Sequence, residues 1–235
     1  MKYQEPLEVI YSAPNYGSNT LTKISKINAS VIWLHGLGAD GYDFASVVEQ
    51  FSLPNIRFIF PHASLIPVTI NNGYIMPAWY DLYGLTLGSQ EDTAGIETSQ
   101  KYINSLIQIE IDKGISPSRI VLAGFSQGGA IALHTALRYP QKLAGVLALS
   151  TYLPLKSRLA TQAQAANAET PIFMAHGIYD DVISLETCKI SLELLQNRQI
   201  PVTWHQYDMA HSVCTEEIDD IRRFLQQVLP WDLVE

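Results

Sequence analysis

The chain of 235 residues holds two cysteines, and it contains neither a cluster of basic residues nor a membrane-length apolar run. Each scarcity excludes something. Cys188 and Cys214 could form one bridge at most and show neither CxxC nor zinc-ligand spacing, so a disulfide framework and a structural zinc are both unexpected. Two reduced thiols fit a protein of the cytoplasm. Apolar runs such as 143–149 fall far short of the ~20 residues that span a bilayer. The opening MKYQEPLEVIYSAP lacks the apolar core of a secretory signal, so the expected localisation is cytoplasmic. Fifteen Lys and Arg against 23 Asp and Glu give a formal charge of −8, which weighs against nucleic acid and against a polybasic membrane patch. Charged residues make up only 16% and hydrophobic ones 47%, a balance that argues for a folded core over disorder.

Apolar, β-rich runs alternate with longer amphipathic ones. Residues 31–35, 56–60, 119–125, 143–150, 171–176 and 201–207 read as strands, several continuously apolar as in a parallel sheet covered on both faces. LEVIY at 7–11 reads as an edge strand. Helical spacing marks 92–112, 127–138, 185–198 and 215–228, with Asp92 placed to cap the first and Pro140 and Pro230 stopping two others. Strands alternating with helices of this length predict an α/β fold with a mainly parallel sheet. No repeat, charge block or low-complexity linker divides residues 1–235, which predicts a single domain.

Gly124-Phe125-Ser126-Gln127-Gly128 follows a predicted strand and opens a predicted helix. That is the setting of a nucleophile elbow, in which a strained turn lifts a serine above the sheet and the following helix N-terminus supplies positive potential. The simpler alternative is a helix-capping serine among turn glycines. A serine nucleophile requires a base, and the base an acid that orients it. His176 and His205 lie at or within strands, whereas His211 lies in the loop between the last strand and the last helix, where such a base belongs. Asp180 and Asp181, in the loop after strand 171–176, are both candidate acids, with Asp208 close to His211 in sequence.

Gly36, Gly38 and Gly41 spell a GxGxxG after a strand. A dinucleotide site would require an acidic residue at the end of the next strand, and that strand runs into Pro61-His62. The competing reading is a glycine-rich turn that offers a backbone N–H to an oxyanion. With the elbow downstream, the oxyanion reading is preferred.

HGLGADGYDF (35–44), RFIFPHA (57–63), MPAWYD (76–81), AGFSQGGAIAL (123–133), LALSTYLPL (147–155), HGIYDDVI (176–183) and MAHSVC (209–214) together resemble the phospholipase/carboxylesterase family, which includes the acyl-protein thioesterases, and in particular its bacterial members. The resemblance extends over about residues 28–229. It implies an α/β-hydrolase fold, with a mainly parallel central sheet flanked by helices on both faces, and cleavage of carboxylic esters or thioesters without metal or organic cofactor. Ser126 becomes the nucleophile, His211 the base, and Asp180, over Asp181, the acid; the backbone N–H groups of Leu37 and Gln127 become the oxyanion hole. Asp181 stands where the family usually has proline, and Tyr152 where it often has tryptophan.

The stretch between Phe60 and Trp79 is long and apolar, with Leu65, Ile66, Pro67, Val68 and Ile70 ahead of Asn71-Asn72-Gly73. It reads either as a loop tucked on the core or as a flap over an acyl chain, and the resemblance favours the flap. Leu65, Ile66, Trp79, Tyr152 and Val182 are the expected substrate-binding side chains. The implied partner is a small or lipid-like acyl ester or thioester, with an acylated protein, transient membrane-surface contact through residues 64–76 and a homodimer left open. Two other classes compete. A hydrolase-like binding module would lack Ser126 or His211, and both are present. A hydrolase of another bond, such as a peptide, shares the serine; an epoxide hydrolase would carry aspartate at the elbow.

Overall fold

Alternate residues along the central strands face two separate cores. In β2, Val31 and Trp33 join one buried cluster while Ile32 and Leu34 join the other, which is why the strand reads as uniformly apolar. The computed structural model describes residues 3–11, 27–85 and 88–230. In chain order they form β1 (Leu7–Ile10), β2 (Ala29–Leu34), α1 (Ala45–Glu49), β3 (Ile56–Phe60), β4 (Leu65–Val68), β5 (Tyr74–Pro77), α2 (Thr93–Asp112), β6 (Ile120–Phe125), α3 (Gln127–Arg138), β7 (Gly145–Leu149), α4 (Leu159–Gln162), β8 (Ile172–Gly177), α5 (Leu185–Asn197), β9 (Val202–Tyr207) and α6 (Thr215–Val228).

Seven strands make one sheet in the order β1-β3-β2-β6-β7-β8-β9. All neighbours are parallel except β1, which pairs antiparallel with β3 from Leu7 opposite Phe60 to Ile10 opposite Arg57. Helices α2, α3 and α5 cover one face with Ile96, Ile103, Ile131, Leu133 and Leu195. Helices α1 and α6 cover the other with Val48, Ile221, Phe224 and Leu225. The Asp92 carboxylate accepts from Gly95 N–H at 3.0 Å and so caps α2 as expected. From β2 the chain moves one way to β3, then returns to lay β6 on the other side of β2. A crevice therefore opens at the carboxyl ends of β2 and β6, the place where such sheets bind ligands.

One expectation is corrected. Residues 64–76 are not an irregular loop. They belong to a two-stranded antiparallel hairpin in which Leu65 pairs with Pro77 and Val68 with Tyr74, around a tight turn at Thr69–Asn71. The period-2 alternation of exposed Leu65 and Pro67 with inward Ile66 and Val68 is the strand signal in this stretch.

Candidate active site

Ser126 sits between β6 and α3 with φ 54° and ψ −123°, a conformation unfavourable for any residue with a side chain. The surroundings impose it. Its N–H donates to the Leu149 carbonyl at 2.9 Å, and its own carbonyl accepts from the Thr151 hydroxyl at 2.6 Å and from Ala130 N–H at 3.1 Å. Gly128 backs onto the carbonyls of Leu34 and His35, and a Cβ there would overlap both. Only glycine lets α3 start this close to β2.

His211 comes from the loop after β9. Its Nε2 lies 2.9 Å from Ser126 Oγ, and its Nδ1 lies 2.7 Å from Asp180 Oδ2. An ionised carboxylate can only accept, so Nδ1 carries the proton and the Nε2 lone pair faces the serine hydroxyl. The Phe125 ring packs against the imidazole at a centroid distance of 4.7 Å. Gly177, at the end of β8, backs onto the carbonyls of Met209 and Ala210, which brings the loop carrying Asp180 against the loop carrying His211.

Asp180 is itself held from several sides. Its Oδ1 accepts from the N–H groups of Val182 at 3.0 Å and Ile183 at 2.8 Å. Burial works to raise its pKa, but the bond from His211 and these two N–H groups outweigh it and keep the carboxyl below its ordinary value. His176 lies beneath, fully buried, with Nε2 2.8 Å from the Ile183 carbonyl and 3.3 Å from Asp180 Oδ2. Burial lowers the pKa of His176, so this imidazole is a neutral donor. Of the other acids, Asp181 is exposed and Asp208 faces Tyr179.

A cavity of about 300 Å³ opens beside Ser126 and His211. Leu37 and Gln127 line it, as do Tyr152 and Val182, so four of the expected binding positions meet there. The other three do not. Leu65 projects from the hairpin with 65% of its surface exposed, and Ile66 packs against the core. Trp79 is fully buried; its indole N–H donates to the His35 carbonyl at 2.9 Å and its backbone N–H to Gln127 Oε1 at 2.9 Å, so it braces the site from below. Ile70, Asn71, Leu82 and Leu85 line the cavity and were not expected to. Ile70 stood in the apolar stretch already singled out, but only its place in the hairpin turn shows that it, and not Leu65, lines the cavity. Among the described residues, no group of His, Cys, Asp and Glu is gathered to hold a metal ion.

Residues 17–229 match the family model described as phospholipase/carboxylesterase. The chain is 44% identical over 218 residues to acyl-protein thioesterase 1 of Gibberella zeae, covering 88% of this chain and 93% of that protein. It is 45% identical over 219 residues to acyl-protein thioesterase 1 of Neurospora crassa, covering 88% of this chain and 89% of that one. Among solved structures, Arabidopsis thaliana SOBER1 superposes with a TM-score of 0.82 at 30% identity, covering 86% of this chain and 99% of the other.

Proposed function

This chain belongs to the phospholipase/carboxylesterase family and is a hydrolase of carboxylic esters or thioesters, and from that premise we propose that it works through an acyl-enzyme on Ser126 with His211 and Asp180. The observation that carries the reading is the continuous chain of contacts Ser126–His211–Asp180, at 2.9 and 2.7 Å, on the wall of an apolar cavity.

His211 Nε2 takes the Ser126 proton as Oγ attacks the acyl carbonyl, and Asp180 steadies the imidazolium through Nδ1–H. Charge gathers on the carbonyl oxygen, where the N–H groups of Leu37 and Gln127 are the assigned donors. Gln127 is the first residue of α3, and a helix's first N–H groups have no carbonyl partner within the helix. The tetrahedral intermediate collapses, His211 passes its proton to the departing alkoxide or thiolate, and water then resolves the acyl-enzyme by the same route. Each oxyanion donor contributes about 3 kcal/mol to the transition state.

The names of the fungal relatives make thioesters on acylated proteins the favoured substrates within this reading. Contact with a membrane surface, where such substrates gather, would use the exposed hairpin side chains Leu65, Tyr74 and Ile75. The cytoplasm is the proposed compartment, consistent with Cys188 and Cys214 both being free thiols.

The test is Ser126→Ala. Hydrolysis of acyl-thioester and p-nitrophenyl ester substrates should fall by on the order of 10⁴–10⁶ in kcat, with labelling by a fluorophosphonate probe abolished and the melting temperature retained. Labelling that persists in the variant would move the nucleophile elsewhere.

A further inference from the structure

A second cavity of about 240 Å³ lies against the first. Five residues, Tyr80, Leu82, Leu85, Tyr152 and Ile183, line both. Two of the five meet across the boundary, with the Tyr80 and Tyr152 hydroxyls 2.8 Å apart. The cavities differ in what they offer beyond the shared residues. The first carries Ser126, His211 and the apolar Phe125 and Val182; the second carries Glu91, Asp92 and Lys156.

We infer that the Tyr80–Tyr152 hydroxyl pair is the end wall of the acyl pocket, and that it sets the longest acyl chain the enzyme accepts. The inference rests on the acyl-enzyme reading above and adds to it the residues that measure the acyl group.

The wall stands at a fixed distance from the reacting carbonyl because both tyrosines are tied to the elbow. The Gln127 side chain, next to Ser126, accepts from Trp79 N–H at 2.9 Å and donates to the Tyr80 carbonyl at 2.8 Å. Thr151, next to Tyr152, donates to the Ser126 carbonyl at 2.6 Å. A chain bonded to Ser126 therefore meets a barrier held by Ser126's own neighbours. Burial raises the pKa of both phenols, Tyr80 far above its ordinary value, so neither ionises and the hydroxyl bond persists across the working range of pH. A chain that pushed the rings apart would leave two desolvated hydroxyls without partners, an unfavourable exchange. With the barrier removed, Leu82, Leu85 and Ile183 would give the chain a continuous apolar path from one cavity into the next.

The experiment measures kcat/KM across p-nitrophenyl esters from two to sixteen carbons for wild type, Tyr152→Ala and Tyr152→Phe, with fluorophosphonate labelling of Ser126 in each. Wild type should show an optimum followed by a steep decline. Tyr152→Ala, which opens the partition, should move the optimum to longer chains and raise the hexadecanoyl-to-acetyl ratio at least tenfold. Tyr152→Phe keeps the ring and loses only the hydroxyl bond, so it guards against a folding defect; its ratio should rise in the same direction by a smaller factor. An unchanged chain-length profile in both labelled variants would overturn the wall while leaving the acyl-enzyme reading intact. Loss of Ser126 labelling in wild type itself would overturn both.

Discussion

The Nδ1–H of His35 donates to the carbonyl of the next residue, Gly36, across 2.7 Å. The proton's place is settled by the other ring nitrogen, since Nε2 accepts from Ala63 N–H at 3.0 Å. Burial drives the His35 pKa down to about 4, so this tautomer is neutral throughout the physiological range. The Gly36 carbonyl and the Leu37 N–H belong to one trans peptide and point in opposite directions. Holding the carbonyl on the imidazole therefore fixes the orientation of the Leu37 N–H, the donor assigned to the oxyanion in the proposed mechanism. At the end of β8, His176 holds the acid loop by a comparable bond to Ile183.

His35→Ala should accordingly act on kcat far more than on KM. Losing an oxyanion donor outright costs 10²–10³ in kcat, and loosening one should cost roughly tenfold or more. His35→Asn, whose amide can still donate to Gly36, should recover part of the loss. Equal loss in both variants, with an unchanged melting temperature, would show that the peptide needs no such support.

Asp180 and Asp181 are neighbours with opposite surroundings. Asp180→Asn would present an amide to His211 and disturb the tautomer, which costs about 10⁴ in kcat in serine proteases. Asp181→Asn, on an exposed side chain, should stay within twofold of wild type. Esterase kinetics on the two single variants decide between them, and the reverse ranking would shift the acid by one residue.

The central sheet was legible because its signals are local. The continuous apolarity of VIWL and IVLAGF, and the caps and stops around 92–112 and 127–138, follow from burial on two faces and from helix-end chemistry. The candidates Ser126 and His211 stood out for a related reason, since both lie at strand-to-helix junctions. The choice of Asp180 over Asp181 came from family resemblance, because nothing local in the sequence says which of two adjacent acids turns inward to His211 and which faces solvent. The cavity wall was the least legible. Trp79 and Tyr80 are adjacent and both aromatic, yet one braces Gln127 from the core and the other meets Tyr152 at the cavity boundary. Leu65 and Ile70 are both apolar and close in sequence, yet Leu65 lies in a hairpin strand away from the cavity and Ile70, in the turn, lines it.

That separation allows the two proposed roles of the hairpin to be tested independently. Ile70, which lines the cavity but is 40% exposed, can contribute only a fraction of the ~1.5–3 kcal/mol of a fully buried aliphatic side chain, so Ile70→Ala should lower kcat/KM for long esters severalfold. Leu65→Ser combined with Tyr74→Ser lies outside the cavity and should leave soluble-ester kinetics alone while reducing sedimentation with phosphatidylcholine vesicles. With a net charge of −8 and these apolar side chains, any such contact would be hydrophobic, so added salt should hardly weaken it. Unchanged vesicle binding in the double variant would remove the hairpin from the membrane proposal.

Glu217 offers a test of stability apart from catalysis. It lies in the first turn of α6, just beyond the loop that carries His211, and is wholly buried. Burial, with Asp220's charge adding to it, pushes its pKa from an ordinary 4.5 up to about 8. Cys214 and Tyr207 also face this region, and a thiol or a phenol, neutral or anionic, cannot supply a compensating positive charge. Between these two pH values the folded protein keeps the Glu217 proton and the unfolded chain loses it. The folded state binds more protons there, so this group's contribution falls as pH rises through the window and levels off above about 8. Glutamine is neutral at every pH. The melting temperature of Glu217→Gln minus that of wild type should therefore climb from pH 5 to about 8 and then hold steady. Buried His35 and His176 titrate with the opposite sign below their ordinary value, but they are common to both proteins and cancel in the difference. A difference that stays flat across the range would mean that Glu217 is already ionised in the folded protein.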